Sequence, residues 1–225
     1  MRKGASSLKS LSNQIDEILL EPMVIPDAFE KLFSWIERNG FYEDTEDGRI
    51  GYLYPISKLR SEWGDNERPG GTLVEFYAEK DSDLMYFINE ETKGRLRVFA
   101  RTGGDGSMAA FWIDDEGNQK IVHIGSGSGS MLACVLCDNP LDFLRLIAIG
   151  YDEICWNDEF EYTPSESFKK NNFAVQPNLK FQDWLIQEFQ TSIPRKAIEI
   201  VKEPAEFGDK DSSDPFCKWL IENDA

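Results

Sequence analysis

A glycine-rich run is the first feature of the sequence with a composition suited to chemistry. Gly125, Gly127 and Gly129 alternate with serine in GSGSGS, and such residues let backbone amides approach an anion such as a phosphate. The run lacks the Lys-Ser or Lys-Thr pair of a P-loop, and a strand-like stretch follows it where the dinucleotide fingerprint requires a helix. We interpret it as a turn, and a nucleotide-binding enzyme that uses this turn is the third functional hypothesis.

The cysteines could in principle exchange thiols or bind a metal, because Cys134 and Cys137 have CxxC spacing. A redox pair normally opens a helix, whereas these two lie in an apolar run typical of a strand. The remaining soft ligands are Cys155, Cys217 and His123, and none of them forms a second CxxC pair. The sequence therefore predicts reduced, mostly buried thiols, with no metal site and no cofactor.

His123 is the only histidine, so it is the only candidate for histidine acid-base chemistry near neutral pH. It lies between Val122 and Ile124 in an alternating strand pattern, and no GxSxG motif surrounds any serine. We expect a structural histidine, no catalytic residue and no enzymatic activity.

An acidic segment that contains aromatic residues is the best candidate for recognition. Residues 152–166 contain six acids and no base, namely Asp152, Glu153, Asp158, Glu159, Glu161 and Glu166. Aromatic anchors flanked by carboxylates suit the surface of a basic protein. The candidate partner-binding residues are therefore Asp152, Glu153, Trp156, Asp158 and Glu159. The alternative is that Ile154, Trp156 and Phe160 pack into the core while the acids face water.

The charge balance bounds the class of partner. The 225 residues include 41 acids and 24 bases, which gives a formal charge of −17. Duplex nucleic acid is excluded as a direct partner, because phosphate binding requires a basic surface. A basic protein partner fits this charge, although many acidic cytoplasmic proteins have no special partner. No run reaches the ~20 apolar residues of a membrane helix and no signal peptide is visible, so we expect a cytoplasmic protein without membrane contact.

The elements that would position these residues centre on residues 98–151, where the apolar pattern is densest. The predicted strands are Ser107–Ile113, Gln119–Ile124 and Met131–Cys137, with a turn at Asp115–Asn118 between the first two. Asn139 and Pro140 begin a helix, and Gly150 follows its last turn.

The flanking regions add helices on both sides and more strands. Before the centre we predict helices at residues 7–20 and 26–39, a mostly irregular stretch Phe41–Gly71, and strands at Thr72–Tyr77, Leu84–Ile88 and Arg95–Ala100. After it we predict helices at residues 181–189, 194–201 and 215–220, with a surface connection at residues 203–214. This order predicts one α+β domain over residues 1–225, with a central, largely antiparallel sheet, helices packed against it, and a helical, acidic C-terminal extension from about residue 152.

Four stretches of the chain resemble one family. They are TGGDGSMAAFWIDDEG (102–117), IVHIGSGSG (121–129), NPLDFLRLIAIGY (139–151) and IPDAFEKLFSWIERNG (25–40). Together they resemble the SUKH superfamily, the Smi/Knr-like group that contains fungal cell-wall assembly regulators and bacterial immunity proteins. The resemblance covers under half of the chain and implies an α+β fold without catalysis. It provides no fixed binding residues to assign here.

The resemblance also implies two related functions. Bacterial members are typically immunity proteins that bind and neutralise a cognate toxin, often a nuclease, and this role is our first hypothesis, with a basic toxin domain as the partner. Fungal relatives act as interaction hubs, so a cytoplasmic scaffold or regulator is the second. A gene directly after a polymorphic toxin would favour immunity, whereas an isolated gene would favour the scaffold.

Overall fold

The computed structural model describes residues 9–57, 67–68, 72–79, 93–171, 174–175 and 177–223. Within these residues the chain forms the predicted α+β fold, with a seven-stranded sheet in the order β1-β2-β4-β5-β6-β7-β8 in which every neighbouring pair is antiparallel. The strands are β1 (Tyr42–Asp44), β2 (Arg49–Tyr52), β3 (Glu67–Arg68), β4 (Glu75–Phe76), β5 (Leu96–Arg101), β6 (Met108–Ile113), β7 (Gln119–Ile124), β8 (Ala133–Cys137) and β9 (Ala174–Val175). Strands β3 and β9 form a separate parallel pair.

Two of the described helices precede the seven-stranded sheet in the chain, and the other four follow it. They are α1 (Leu11–Asp16), α2 (Asp27–Arg38), α3 (Pro140–Ala148), α4 (Pro164–Asn171), α5 (Leu179–Phe189) and α6 (Pro215–Glu222). As predicted, the Asn139 side chain caps α3 at the Leu141 amide, and Gly150 follows the helix with φ +105°. The prediction of a helix over 7–20 was too long, because α1 ends at Asp16.

The central hairpin agrees with the sequence prediction. All residues of β6 are buried, and β7 pairs with it from Met108–Ile124 to Ile113–Gln119. The turn between them has φ +83° at Gly117. A strand with no exposed residue requires cover on both faces of the sheet.

Helices and aromatic residues provide that cover. On one face, α2 and α3 bring Phe29 and Phe143 against the strand residues Phe99 and Phe111, with the Phe99 and Phe111 ring centroids 4.4 Å apart. On the other face, α6 packs its aromatic residues on Trp112. Residues after 152 contribute to the hydrophobic cluster on each face of the sheet: Phe181 and Leu185 belong to the α2–α3 side, and Phe216 and Trp219 belong to the α6 side.

Three predictions for the flanks were wrong in detail. The stretch Phe41–Gly71, predicted as mostly irregular, contains the β1–β2 hairpin. These strands are short, and burial is limited to the second half of β2, where a Cβ at Gly51 would lie 2.6 Å from the Leu11 side chain of α1 and 3.1 Å from the Ile36 side chain of α2. Local periodicity cannot reveal such tertiary packing. In addition, Thr72–Tyr77 is strand only at Glu75–Phe76, and residues 194–201 contain only a 3-10 turn at Ala197–Glu199. The predicted strand Leu84–Ile88 lies outside the described residues.

The connection at residues 203–214 closes one edge of the sheet. The Ala133 amide donates to the Ala205 carbonyl at 2.7 Å, and Leu132 forms a bridge with Glu206. The Asp214 carboxylate accepts from the Val135 amide at 2.9 Å while it caps α6 at Cys217. The amides of Ala133 and Val135 are therefore satisfied along an edge that would otherwise be open to pairing with other chains.

Candidate functional site

Two glycine-containing loops meet at one end of the central strands. Residues 102–107 connect β5 to β6 and residues 125–132 connect β7 to β8. Because these strands alternate in direction, both loops emerge at the same end of the sheet. We call this the glycine-loop end.

The carboxylate of Asp105 joins the two loops. It accepts hydrogen bonds from the Ser107 amide (2.9 Å) and hydroxyl (2.9 Å), the Ser126 hydroxyl (2.8 Å) and the Ser130 amide (2.8 Å). Burial raises the pKa of Asp105, but the hydrogen bonds from Ser130 and Ser107 outweigh it, so the pKa lies below its ordinary value. The carboxylate is therefore charged at neutral pH and holds both loops.

The glycine-rich run thus presents donors to an anion, but the anion belongs to the same chain. A Cβ on Gly129 would lie 2.7 Å from Asp105 Oδ2, so only glycine lets the loop approach this carboxylate so closely. The Ser126 hydroxyl, which donates to Asp105, also accepts from the Gly129 amide at 2.9 Å. The Ser126 hydroxyl and the Ser130 amide therefore already donate to a carboxylate of the same chain.

His123 connects β7 to both loops from inside. It is 0% exposed, with Nδ1 2.9 Å from the Leu132 carbonyl oxygen and Nε2 3.0 Å from the Thr102 hydroxyl. Since a carbonyl oxygen can only accept, Nδ1 carries the proton and Nε2 accepts from Thr102. Burial lowers the pKa of His123 to about 4, although the Leu132 carbonyl and the Asp105 charge oppose this shift. The imidazole is neutral at pH 7 and has no access to solvent.

The cysteines are free and buried, as the sequence predicts. Cys134 and Cys137 lie in β8, and burial raises the pKa of both thiols, as it does for Cys155. Over the described ranges, no three His, Cys, Asp or Glu side chains are grouped so that they could hold a metal ion.

The acidic segment predicted for partner binding is attached to the glycine-loop end. The Glu153 carboxylate accepts from the Gly104 amide at 2.7 Å and from the Trp156 indole at 2.8 Å. The Ser130 hydroxyl donates to the Cys155 carbonyl at 2.6 Å. Glu153 therefore positions the segment, and the polar atom of Trp156 is already bonded.

The other side chains of the acidic segment divide between core and surface. Ile154 and Phe160 are buried, whereas Trp156 is half-buried. Asp158 is exposed, and Asp152 and Glu159 are half-buried. Of the two interpretations of this segment, the core alternative describes Ile154 and Phe160, while Trp156 and Asp158 remain in contact with solvent.

Tyr151 fixes the backbone around this segment. Its hydroxyl donates to the Tyr162 carbonyl at 2.5 Å and accepts from the Ala197 amide at 2.9 Å. Burial raises the pKa of Tyr151 to about 12, so the phenol keeps its proton. The Tyr151 hydroxyl thus links the backbone at Tyr162, after the acidic segment, to the backbone at Ala197.

Two residues beside the acidic segment, Met131 and Glu206, were not predicted from the sequence. The Phe207 amide donates to the Met131 carbonyl at 2.9 Å, and the Asn157 side chain donates to Glu206 Oε1 at 3.1 Å. Met131 is 40% exposed, and Glu206 is exposed. Residues 131, 157 and 206 are far apart in the sequence, and no spacing pattern links them.

A separate cleft of about 520 Å³ lies beside the β1–β2 hairpin. It is lined in part by two arginines that already have acidic partners: Arg49 lies 2.7 Å from Asp44 and 2.8 Å from Glu37, and Arg101 lies 3.2 Å from Glu75. None of the residues predicted for binding lines this cleft.

Searches with this chain found no matching family model, no matching curated protein and no matching solved structure. None of the helices in the described part of the chain combines the length and the hydrophobicity needed to span a membrane. The fold and the site define an α+β protein with a tightly bonded, acidic loop region at one end of its sheet.

Proposed function

We propose that the protein is a non-enzymatic binding protein for a basic protein partner, and that the acidic segment Asp152–Glu159 contributes the contact surface. The observation that carries the proposal is the exposed carboxylate of Asp158, two residues from the half-buried Trp156, on a segment that is bonded to two loops through the Cys155 carbonyl and the Glu153 side chain. No Lys, Arg or His occurs between residues 152 and 168, and the whole chain carries −17. A basic surface is the complement of this arrangement.

The bonding of the segment supports this function in a second way. Association costs free energy when loops and side chains must be ordered at the interface. Here the hydrogen bonds at Glu153 and Cys155 order the segment before any partner arrives. More of the contact energy then remains for affinity.

Immunity against a toxin is the form of this function that we propose. The SUKH-like stretches of the sequence support it, and a basic nuclease domain would match the negative charge of this chain. We also propose a cytoplasmic location, from the sequence alone. A scaffold role would use the same surface with a different basic partner.

The test combines capture with a charge reversal. The purified protein and its Asp158→Lys/Glu159→Lys variant are immobilised, and proteins are captured from the producing strain and from a close competitor. A retained basic protein is then purified and its association rate is measured with both forms. We expect association roughly 10-fold slower for the variant at low salt, with a smaller difference at high salt.

The matched control is Asp16→Lys/Glu46→Lys, which changes the net charge equally at two exposed acids on α1 and in the β1–β2 turn. We expect the association rate of the control to stay near that of the wild type, and the melting temperature of both variants to change by less than ~2 °C. Equal rates for the two reversals would refute the proposed surface. So would the absence of any basic protein that the wild type retains and the Asp158/Glu159 variant loses.

A further inference from the structure

We infer that the contact surface extends from the acidic segment onto Met131 and Glu206, and that the bound element is a protein loop with a Lys or Arg next to an aliphatic or aromatic side chain. This inference rests on the proposed function. It adds an apolar component and a second chain segment to the surface, and so specifies the chemistry of the partner.

Three segments that are distant in sequence form this surface together. The Ser130 hydroxyl bonds to the Cys155 carbonyl, which brings the β7–β8 loop against the acidic segment. The Asn157 side chain bonds to Glu206, and the Phe207 amide bonds to the Met131 carbonyl. The hydrogen bonds therefore run from the β7–β8 loop to the acidic segment, then to residues 206–207, and back to the loop. We call this the stitched surface: Met131, Trp156, Asn157, Asp158 and Glu206.

The apolar component is Met131. Its neighbour Leu132 is 0% exposed and points into the core, whereas Met131 leaves 40% of its surface in solvent. A methionine side chain is flexible and polarisable, so it adapts to different aliphatic and aromatic groups. It adds a second apolar contact for a partner to the half-buried Trp156 of the acidic segment.

The charged component has one sign. Residues 130–132, 152–168 and 203–209 contain no Lys, Arg or His. Asp158 and Glu206 contribute carboxylates to this surface, and the Asp105 and Glu153 carboxylates of the adjoining loops accept from neutral donors such as serine hydroxyls, amides and an indole. A cationic side chain is attracted here, and an apolar neighbour on the same loop would cover Met131.

The footprint can be tested with two flexible peptides of equal length and charge, one of Lys-Leu-Gly repeats and one of Lys-Ser-Gly repeats. Each is titrated at low salt into the isotope-labelled full chain, and amide NMR shifts are recorded. We expect the leucine peptide to bind about fivefold tighter than the serine peptide, because it buries apolar surface on Met131. The largest shifts should fall on residues 126–132, 155–159 and 205–208.

Two substitutions separate the apolar and charged contributions. Met131→Ala should remove most of the preference for the leucine peptide while leaving the affinity for the serine peptide unchanged. Glu206→Gln keeps an acceptor for Asn157 but removes the charge, so it should weaken both peptides by about threefold. The control is Leu179→Ala, which trims a side chain that is 63% exposed on α5 and should change neither affinity.

The outcomes distinguish this footprint from the proposed function. If Asp158→Lys/Glu159→Lys weakens both peptides while Met131→Ala and Glu206→Gln change neither, the acidic segment binds basic chains and the extended footprint is wrong. If the leucine peptide binds no tighter than the serine peptide, the apolar component is wrong. If neither peptide binds at millimolar concentration, or if no substitution on the stitched surface matters, both proposals fail.

Discussion

An aspartate carboxylate accepts hydrogen bonds from loop residues at each end of the central strands, but the two carboxylates differ in how far away in sequence their partners lie. At the β6–β7 turn, Asp114 accepts from the Glu116 amide at 3.0 Å and the Asn118 amide at 2.8 Å, both within four residues. At the glycine-loop end, Asp105 reaches Ser126 and Ser130, which are 21 and 25 residues away. The first carboxylate closes a turn, whereas the second joins separate parts of the chain.

The two ends also differ in charge. Lys120 lies 3.5 Å from Asp114 and 2.8 Å from Asp138, so bases partly neutralise the acids at the β6–β7 turn. Asp105 and Glu153 instead accept hydrogen bonds from uncharged donors, namely serine hydroxyls, backbone amides and the Trp156 indole. The glycine-loop end therefore combines long-range bonding with carboxylates, at Asp105 and Glu153, that accept hydrogen bonds from neutral donors.

The largest expected effect comes from removing each carboxylate. Asp105→Ala leaves the amides of Ser107 and Ser130 without their acceptor and releases two loops, so we expect the free energy of unfolding to fall by about 3 kcal/mol. Asp114→Ala loses only local bonds at a partly exposed turn and should cost about 1 kcal/mol. Urea denaturation at pH 7 measures both values.

The matched substitution at the glycine-loop end is Asp105→Asn, which keeps one acceptor oxygen. Its free energy of unfolding should lie between those of the wild type and of Asp105→Ala. Equal costs for the two alanine variants would show that the long-range bonds add nothing to a local turn. A native-like melting temperature for Asp105→Ala would contradict the role of this carboxylate altogether.

This difference in reach explains which parts of the fold were predictable. The turn at Asp115–Asn118 and the strands on each side follow from residues that are neighbours in sequence, as does the capped helix at Asn139 and Pro140. The β1–β2 hairpin was missed because its strands are short and because the burial of Gly51 in β2 depends on α1 and α2. Burial of this kind depends on contacts that local sequence does not encode.

The site was predictable only in part, for the same reason. The sequence identified the acidic segment and predicted a turn at the glycine-rich run, but it did not predict that this turn bonds to an anionic side chain. That anion is Asp105, which no motif connects to Ser126 or Ser130. The role of Glu153 in fixing Gly104 and Trp156, and the exposure of Met131 beside Glu206, likewise depend on how distant segments meet.

A smaller effect is expected at Gly129, where the loop passes closest to Asp105. Gly129→Ala introduces a Cβ 2.7 Å from Oδ2 and 2.9 Å from the Cβ of Asp105. We expect a cost of about 2 kcal/mol in the wild type and about 1 kcal/mol in the Asp105→Ala background, since the contact with Oδ2 disappears there while the contact with the Cβ remains. Denaturation of the single and double variants gives this coupling.

Gly117→Ala is the corresponding change at the other end. Its Cβ would meet nothing within 4 Å, so its cost of about 1 kcal/mol arises from φ +83° alone. That cost should be the same with and without Asp114. If instead the costs of Gly129→Ala and Asp105→Ala were additive, the loop would relax enough to avoid the contact between the new Cβ and the Asp105 side chain.

The smallest expected effect is on the pH dependence of the free energy of unfolding, and it should differ between His123 and Lys120 at the two ends of β7. His123 is buried at the glycine-loop end with its pKa lowered to about 4, whereas an unfolded histidine titrates near its ordinary value of 6.5. Between these values the unfolded chain binds a proton that the native chain does not. The free energy of unfolding therefore decreases as the pH falls, by about 1 kcal/mol between pH 7 and pH 5.5 from this group.

A His123→Gln variant isolates this contribution, because the amide can donate to the Leu132 carbonyl and accept from Thr102 without titrating. We expect its free energy of unfolding to change less over this pH range than that of the wild type, by the same ~1 kcal/mol. Lys120, at the other end of β7, provides the control. Burial lowers its pKa, but Asp138 raises it overall above 10.5, so Lys120→Met should shift the stability equally at both pH values. If His123→Gln had the same pH slope as the wild type, the histidine would titrate alike in both states, and its buried, neutral bonding between the two loops would be wrong.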